Sequence, residues 1–348
     1  MTRVSFVVPT LNRGSYVVRA VDSCLQAAER AGVEGEVIVL DSQSDDGSWE
    51  ALNDRFGAMP TVQLVQNQRG LGPTHSWLDG AALVSGDVAT FIWSDDYVAP
   101  HFVTRLLPAL ANGAAVAIGR GAIRDVDDDS PLADDDAITT LTGAQALEGY
   151  LGTHPMMPDP PVSPASALFR RDAFDHWTGL VAASCKATEL RHQLMWRRAI
   201  GPDLLLYIDA LHRGAATRVT LSASQVVQFS AHASSITIGS PPWLLRAGYW
   251  LGRTTAILDH DVLDALPKGV RARLCVRVMA QGLALTRDVP TGQRGLEDVG
   301  RTAMMIREEI GRVRARLLAD QGRLGLVTGL ARMALHEAGR RLGRSGRS

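Results

Sequence analysis

Short apolar runs alternate with helical patterns over the first 120 or so residues, and this alternation constrains the fold more than any other feature. The apolar runs are 4–8, 36–40, 62–65 and 88–92, and they are rich in β-branched residues. Between them, apolar residues recur at helical spacing. Strands that are apolar almost throughout are buried on both faces. The pattern therefore predicts an α/β fold with a mostly parallel sheet and helices on both faces.

Beyond a fifth apolar run at 115–119, the regular alternation fades. Residues 125–136 contain seven aspartates among twelve residues, and 154–164 contain five prolines. The acidic segment suits either a cation site or a solvated surface loop, and the absence of a ligand-loop spacing favours the loop. The prolines indicate an irregular connection. From Trp243 onward, the pattern is mostly helical.

The overall composition excludes several classes of protein. The chain is 46% hydrophobic and 21% charged, with a net charge of −1, so it has no general attraction to nucleic acid. Its three cysteines are widely spaced, which fits buried thiols in a reducing compartment. No apolar leader precedes the first strand, and no run of about 18 apolar residues predicts a membrane span. We therefore expect a cytoplasmic protein.

Polar residues follow each of the first four predicted strands. They lie at 9–13, 41–48, 67–70 and 94–96. In an open α/β sheet, ligands bind outside the carboxyl ends of the strands, so these four segments should meet at one edge. The sequence therefore predicts a ligand site there.

Asp95 and Asp96 carry the strongest chemical signal at this edge. Adjacent carboxylates beside a buried strand repel each other unless a cation or a donor compensates them. Mg²⁺ or Mn²⁺, held by one or two carboxylates and by a ligand's phosphates, meets that need. The alternative is that one aspartate caps the helix expected to open near Pro100. Asp41 could accept a base N–H or a ribose hydroxyl, or could be a turn residue. Arg69 could neutralise phosphate or hold an aspartate.

Three segments together resemble the family 2 glycosyltransferases, strongly over residues 3–120 and weakly to about 240. They are Val8-Pro9-Thr10-Leu11-Asn12-Arg13, the run from Val39 to Ser48 and the run from Gly86 to Asp96. The resemblance implies the GT-A fold, inversion at the sugar, a nucleotide-diphosphate-sugar donor and a divalent metal. Uridine is the usual base of that family.

The resemblance also implies roles for individual residues. Pro9, Thr10 and Asn12 would shape the nucleotide side, with Thr10 and Asp41 on the base. Asp95 would face the ribose or the sugar, and Asp96 would hold the metal on the diphosphate. His232, in a segment similar to one that follows the acceptor region, would approach the diphosphate or the metal. Read alone, His232 is a structural histidine.

The catalytic base is where the chain departs from the family pattern. The base usually lies in a Glu-Asp pair that opens a helix, and here Pro202-Asp203 matches that position with proline in place of glutamate. Glu189 is the rival candidate, and either residue could instead cap a helix. Trp177, Trp196 and His192 could line an acceptor site or belong to the core.

We expect a glycosyltransferase domain over 1–240, with a nucleotide-binding half (1–120) and an acceptor half (121–240), followed by a helical region (241–348). The acceptor would be a saccharide, a lipid-linked compound or a secondary metabolite. In the final segment, Leu326, Leu330, Met333 and Ala334 fall on one helical face, flanked by arginines. This pattern suits either a peripheral membrane helix attracted to anionic lipid or a docked helix with a basic tail.

Two other enzyme classes fit less well. A sugar nucleotidyltransferase would need a lysine-bearing glycine-rich loop after the first strand, and a dehydrogenase would need three spaced glycines there. Neither pattern is present at residues 9–14. The alternative from a different class is a non-catalytic member of the fold that binds a nucleotide-sugar or a partner protein.

Overall fold

The computed structural model describes residues 2–152, 157, 160–214, 217–232, 240–259, 261–290, 299–320 and 327. The strands are β1 (Arg3–Thr10), β2 (Glu34–Asp41), β3 (Val62–Gln66), β4 (Val88–Phe91), β5 (Tyr97–Val98), β6 (Val116–Asp125), β7 (Ile138–Thr142), β8 (Ala167–Arg170) and β9 (Arg218–Ala231). The helices of the first half are α1 (Ser15–Ala31), α2 (Ser48–Phe56), α3 (Pro73–Ala82) and α4 (Phe102–Ala111).

The later helices lie mostly on one side of the sheet. They are α5 (Gly143–Tyr150), α6 (Arg171–Ser184), α7 (Glu189–Arg191), α8 (Pro202–Arg213), α9 (Pro242–Asp259), α10 (Lys268–Arg287) and α11 (residues 299–320). A π-helical turn, His192–Trp196, continues α7, and short 3₁₀ turns lie at Pro164–Ser166 and Asp261–Ala265. The helical pattern expected from Trp243 onward is confirmed over the part of this region that the structure describes.

The described strands form one nine-stranded sheet with the order β3-β2-β1-β4-β8-β6-β9-β5, and β7 pairs with β9. The first four strands are parallel, as the alternation predicts, with β1 between β2 and β4. Beyond β4 the sheet is mixed, because β8 is antiparallel to both β4 and β6 while β6 and β9 are parallel. The structure is therefore an α/β fold whose parallel half carries the first four strand ends.

Helices cover both faces of the sheet. On β1, Phe6 and Val8 face a cluster with α1, α2 and α4, while Val7 faces a cluster with α3, α6 and α8. This second cluster continues without a break into α9, α10 and α11. The C-terminal helices therefore share a core with the acceptor half of the chain.

Several boundaries differ from those expected. β1 continues through Pro9 to Thr10, in register with Leu40 and Asp41. α4 begins at Phe102 and not near Pro100, because β5 and a turn occupy the residues from Tyr97 to His101. β6 continues past Gly119 to Asp125, since it pairs with the long strand β9. The acidic segment 125–136 is a loop as expected, except that Asp125 ends β6; Asp134 and Asp136 pair with Arg105.

No described helix has the length and apolar character needed to cross a membrane. The predicted amphipathic segment with Leu326, Leu330, Met333 and Ala334, and with arginines 323, 332, 340 and 341, lies outside the described residues.

Candidate active site

The loops after β1 and β2 are joined by reciprocal hydrogen bonds. Asn12 Nδ2 donates to Asp45 Oδ1 at 2.8 Å, and the Asp45 amide donates to Asn12 Oδ1 at 3.0 Å. Asn12 has a φ of 53°, a left-handed conformation that asparagine tolerates better than most residues. The Asn12 amide also donates to Ser44 Oγ at 2.9 Å. Asn12 therefore fixes the shape of both loops at the carboxyl edge of the sheet.

Asp41 is completely buried at the end of β2. Its carboxylate accepts from the Ser44 amide at 3.0 Å, from the Ser44 hydroxyl and from Gln66 Nε2 at 3.3 Å. Close by, two buried polar atoms have no hydrogen-bond partner within the described chain, Thr10 Oγ1 and Asn67 Nδ2. Thr10 is paired with Asp41 in the β1–β2 register, and the Asn67 amide donates to the Asp41 carbonyl at 2.7 Å. The Thr10 hydroxyl and the Asn67 side-chain amide can therefore hydrogen-bond a ligand.

Arg69 holds an aspartate, which was one of its two predicted roles. Its Nη1 lies 2.7 Å from Asp45 Oδ2, and both side chains are about half exposed. The hydrogen bond from Arg69 lowers the pKa of Asp45, with Asn12 adding to the effect. Arg69 therefore supports the loop after β2 through Asp45, which is bonded in turn to Asn12 in the loop after β1.

Asp96 is nearly buried, and its Oδ1 accepts the Ser230 amide at 2.8 Å. Burial raises the pKa of Asp96 well above its ordinary value, and the neighbouring Asp95 raises it further. The Ser230 amide and the charges of Arg19 and Arg13 lower the pKa but offset these effects only in part. The pair therefore favours a positive group beside it.

Asp95 has an arginine and a histidine as neighbours. Arg13 Nε lies 3.6 Å from Asp95 Oδ2, and His232 Nε2 lies 2.9 Å from the same oxygen. The His232 ring also stacks on Tyr16, with ring centroids 6.0 Å apart. The structure thus brings His232 to this site, with its Nε2 on Asp95.

The residues at this point fit a divalent ion that a ligand would complete. No group of three His, Cys, Asp or Glu side chains in the described part of the chain forms a ready-made metal site. Mg²⁺ and Mn²⁺ often take only one or two protein carboxylates and fill the remaining positions with water and phosphate oxygens. Asp96, buried and under-compensated, is the carboxylate suited to that role.

Asp203 lies in the first turn of α8 and is almost completely buried. Its Oδ1 accepts from the Leu204 amide at 2.8 Å and from the Gly201 amide at 3.1 Å, and its Oδ2 accepts from Tyr249 Oη at 3.1 Å. Burial raises the pKa of Asp203 to about 7, against these three donors. A carboxyl group with that pKa exchanges a proton near neutral pH, as a general base must.

Glu189 is engaged elsewhere. It opens the short helix α7, where its carboxylate pairs with Arg301 of α11 and accepts from Gln193 Nε2 at 3.2 Å. Its side chain is 43% exposed. These contacts join α7 to α11, which is a structural role.

A chain of hydrogen bonds connects α8 to the Asp95 loop. Tyr207, one turn after Asp203, donates to the Ser163 carbonyl at 2.8 Å, and Trp93 Nε1 donates to Ser163 Oγ at 2.8 Å. Trp93 precedes Asp95 by two residues. The candidate base and the acidic pair are therefore set on one continuous framework.

The three predicted acceptor residues divide between core and surface. Trp177 is fully buried and donates to the Pro202 carbonyl at 2.8 Å, so it belongs to the core that supports α8. Trp196 is nearly buried, with Lys186 Nζ 3.9 Å from its ring centroid. His192 is partly exposed, beside Arg197.

Sequence reasoning missed several site residues. Arg13 and Ser44 lie in the polar segments 9–13 and 41–48, but nothing in the sequence indicates which residues they contact. Ser230 and Tyr249 come from β9 and α9, and no local pattern marks either one. Only long-range packing brings them to Asp96 and Asp203.

A cavity of about 530 Å³ lies at the opposite end of the sheet, away from these carboxylates. Its lining is mainly apolar and includes Val88, Val103 and Leu107, with Asp87 and Arg170 at the side. It has no convergent set of polar groups, so the carboxyl edge remains the candidate site.

An α/β sheet of this topology, with paired aspartates beyond β4, defines the GT-A class of glycosyltransferases. The chain belongs to glycosyl transferase family 2, whose model matches residues 5–178. The predicted family and fold class are therefore confirmed.

Two curated relatives are similar over shorter stretches. A dolichol-phosphate mannosyltransferase of Pyrococcus furiosus is 28% identical over 120 residues, which is 34% of this chain and 32% of the relative. An uncharacterized glycosyltransferase of Haemophilus influenzae is 29% identical over 99 residues, or 28% of this chain and 38% of that protein. The alignments thus span about a third of each relative's length.

Solved structures of Staphylococcus aureus TarS, residues 1–349, are similar over nearly the whole chain. One matches with a TM-score of 0.55 and 16% identity, covering 97% of this chain and 92% of TarS. The complex of TarS with UDP-GlcNAc matches with a TM-score of 0.58 and 15% identity, with the same coverage. At this identity the likeness establishes a shared fold that extends into the C-terminal helices.

Proposed function

We propose that the protein transfers a sugar from a uridine-diphosphate donor to an acceptor hydroxyl, with inversion at the anomeric carbon. The observation that carries the proposal is the under-compensated pair Asp95 and Asp96 at the carboxyl edge of a family 2 fold. The complex of TarS with UDP-GlcNAc, a protein of the same fold, supports a uridine nucleotide as the donor's carrier.

The donor would lie along the loops after β1, β2 and β4. Thr10 and Asn67 have unused polar atoms near Asp41, where they suit the edge of a base or a ribose hydroxyl. Arg13, which lies 3.6 Å from Asp95, adds positive charge beside the expected diphosphate. Asp96, with His232 close by, would hold Mg²⁺ or Mn²⁺, and that ion would offset the charge that develops on the leaving diphosphate.

Asp203 would act as the general base. As the acceptor oxygen forms a bond to the anomeric carbon, the bond from that carbon to the diphosphate oxygen breaks, and Asp203 takes the hydroxyl proton. Tyr249 and the amides of Gly201 and Leu204 hold the carboxylate in place. Because its pKa is about 7, Asp203 can accept the proton near neutral pH.

The first test is calorimetric titration of UDP into the protein with Mn²⁺, and again with chelator. We expect binding that needs the metal and that weakens about a hundredfold or more in Asp96→Asn, because the ion supplies several kcal/mol at such sites. Asp54→Asn, on the exposed surface of α2, is the matched control and should bind as the wild type does.

Each outcome of this titration has a distinct meaning. Metal-independent UDP binding that is unchanged in Asp96→Asn would overturn the metal assignment. No binding of UDP or any other nucleoside diphosphate would overturn the donor site and favour the non-catalytic alternative. Binding of UDP without release of UDP from any UDP-sugar would leave a nucleotide-sugar-binding protein.

A further inference from the structure

Tyr16 and Arg19 lie one turn apart on α1, and both reach the end of β9. The Tyr16 ring stacks on His232, with ring centroids 6.0 Å apart and an interplanar angle of 24°. Arg19 Nη2 donates to Ser230 Oγ at 3.4 Å. Helix α1 therefore contacts the end of β9 and the residue that follows it.

The same stretch of β9 contacts the acidic pair. The Ser230 amide donates to Asp96 Oδ1 at 2.8 Å, and His232 Nε2 lies 2.9 Å from Asp95 Oδ2. A shift of this stretch relative to the pair would lengthen both contacts, and hydrogen bonds weaken beyond their ordinary distances. The position of the end of β9 therefore sets the surroundings of both carboxylates.

Strand pairing in the described chain holds the end of β9 on one side only. There, β6 pairs with it through Arg124 and Asp125. On the other side, the two-residue strand β5 pairs with Val227 and Gln228 and does not continue to Ser230. Beyond Gln228, the two side chains from α1 supply contacts that the strand pairing lacks.

Arg19 is itself fixed by several contacts. Its Cζ lies 4.6 Å from the centroid of the Tyr97 ring, and Tyr97 directly follows Asp96. Its Nη1 donates to the Val126 carbonyl at 2.8 Å, in the turn after β6, and lies 3.8 Å from the exposed Asp129. The guanidinium group thus joins α1 to β5, to the turn after β6 and to β9. A planar group with several N–H donors suits such a junction better than a lysine does.

We propose that Tyr16 and Arg19 are positioning residues of the donor site, which hold the end of β9 so that the Ser230 amide and the His232 ring stay on the acidic pair. This inference rests on the proposed function, in which the acidic pair receives the metal and the diphosphate. Neither side chain needs to touch the donor. A stacked ring pair and a cation over an aromatic ring both stabilise one arrangement of the groups that they join.

The test combines two measurements on the full chain. Hydrogen exchange at single-amide resolution reports on the Ser230 amide, and calorimetry gives the affinity for UDP with Mn²⁺. In Arg19→Gln and in Tyr16→Leu, we expect Ser230 to exchange about tenfold faster or more and UDP to bind about tenfold more weakly. The Asn67 amide, which donates to the Asp41 carbonyl, should keep its wild-type exchange rate.

Matched variants connect these effects to particular groups. Tyr16→Phe keeps the stacked ring and should recover most of the affinity that Tyr16→Leu loses. Arg19→Lys keeps the charge over Tyr97 but has no fork with which to reach both Val126 and Ser230, so both effects should be present but smaller. Arg30→Gln, in the exposed last turn of α1, is the control and should behave as the wild type does.

Three outcomes would overturn the inference. Unchanged exchange of Ser230 in both Arg19→Gln and Tyr16→Leu would show that the end of β9 is held without them. Faster exchange with unchanged UDP affinity would show that these contacts have no bearing on the donor site. Equal acceleration at Asn67, or an equal loss in Arg30→Gln, would show a general loss of stability in place of a positioning role.

The exchange measurement needs no nucleotide, so it separates this inference from the proposed function. If the wild type does not bind UDP, the proposed donor site fails, while faster exchange of Ser230 in both variants would still show that Tyr16 and Arg19 hold β9. If the wild type binds UDP and both variants exchange and bind as it does, the donor site stands and the positioning role fails. Should Arg19→Gln not fold, as near-ultraviolet circular dichroism would show, Arg19→Lys and Tyr16→Leu decide.

Discussion

Asp96 and Asp203 are both buried carboxylates, but the protein surrounds them differently. Asp96 has another carboxylate as its sequence neighbour, receives one backbone amide and feels the charges of Arg19 and Arg13. Asp203 receives two backbone amides and a tyrosine hydroxyl, with no described cation paired to it. The first environment favours a bound cation, whereas the second holds a carboxyl group that can exchange a proton. Under the proposed function, burial would serve metal binding at Asp96 and proton transfer at Asp203, and the neighbours of each carboxylate account for the difference.

The sharpest test of this contrast is Asp203→Asn. We expect turnover of a UDP-sugar onto its acceptor to fall about 10²–10⁴-fold, the usual contribution of a general base, because asparagine cannot take the proton. UDP affinity measured by calorimetry should not change. Glu189→Gln is the comparison variant and should keep turnover within about twofold, since Glu189 contacts α11. Unchanged turnover in Asp203→Asn would remove the assignment of Asp203 as the base.

The same carboxyl group should give the pH profile of the wild-type enzyme. With a pKa raised from 3.8 to about 7, Asp203 must lose its proton before it can act, so turnover should rise with pH up to about 7 and then level off. The contribution of Asp203 to the free energy of unfolding should change with pH in the opposite direction. Between about pH 4 and 7 the folded state holds a proton that the unfolded state has lost, so the free energy of unfolding falls as pH rises. Asp203→Asn should lack this contribution, which urea unfolding at several pH values would show.

The next largest expected effect is a loss of stability when the buried ion pairs of Arg191 are broken. Arg191 is fully buried and pairs with Glu309 of α11 at 3.1 Å and with Asp259 of α9. Glu309→Ala should lower the free energy of unfolding by about 3 kcal/mol, because it leaves the buried guanidinium with one carboxylate. Urea unfolding measures this loss, and Glu308→Ala, on the exposed face of α11, is the control.

Glu309→Ala also tests whether the donor side and the acceptor side of the site are stabilised separately. UDP affinity should stay near the wild-type value under conditions where the variant is folded, because Glu309 contacts Arg191 and Thr188 beside α7 and has no described hydrogen bond or ion pair to the donor loops. A parallel loss of UDP affinity would show that α11 supports both sides equally.

The smallest expected effect lies on the donor side. Asn12→Ala removes two hydrogen bonds to Asp45 and places alanine at a φ of 53°, so we expect a loss of about 2 kcal/mol in the free energy of unfolding and weaker UDP binding. Asn12→Gly removes the same bonds without the backbone strain, so it should lose less stability. Equal losses in the two variants would assign the whole effect to the hydrogen bonds.

Most elements of the first half of the molecule could be predicted from local sequence pattern. Runs such as 4–8 and 36–40 are apolar enough to be buried strands, and their spacing from helical segments predicted parallel neighbours. Because parallel strands deliver their carboxyl ends to one edge, Thr10, Asp41 and Asp96 could be placed there from local pattern alone.

The remaining features of the site could not be predicted, because their contacts join residues far apart in the chain. β6 pairs in parallel with β9, and Ser230 thereby reaches Asp96. Tyr249 reaches Asp203 because Gly201 and Gly248 let α8 and α9 approach closely. The sequence also left Glu189 and Asp203 as rival bases. The packing of α7 against α11 gives Glu189 a partner in Arg301, whereas the packing of α9 on α8 buries Asp203 and raises its pKa towards neutrality. Periodicity and spacing do not indicate which distant helix packs against a side chain. The choice between Glu189 and Asp203 therefore requires the tertiary structure.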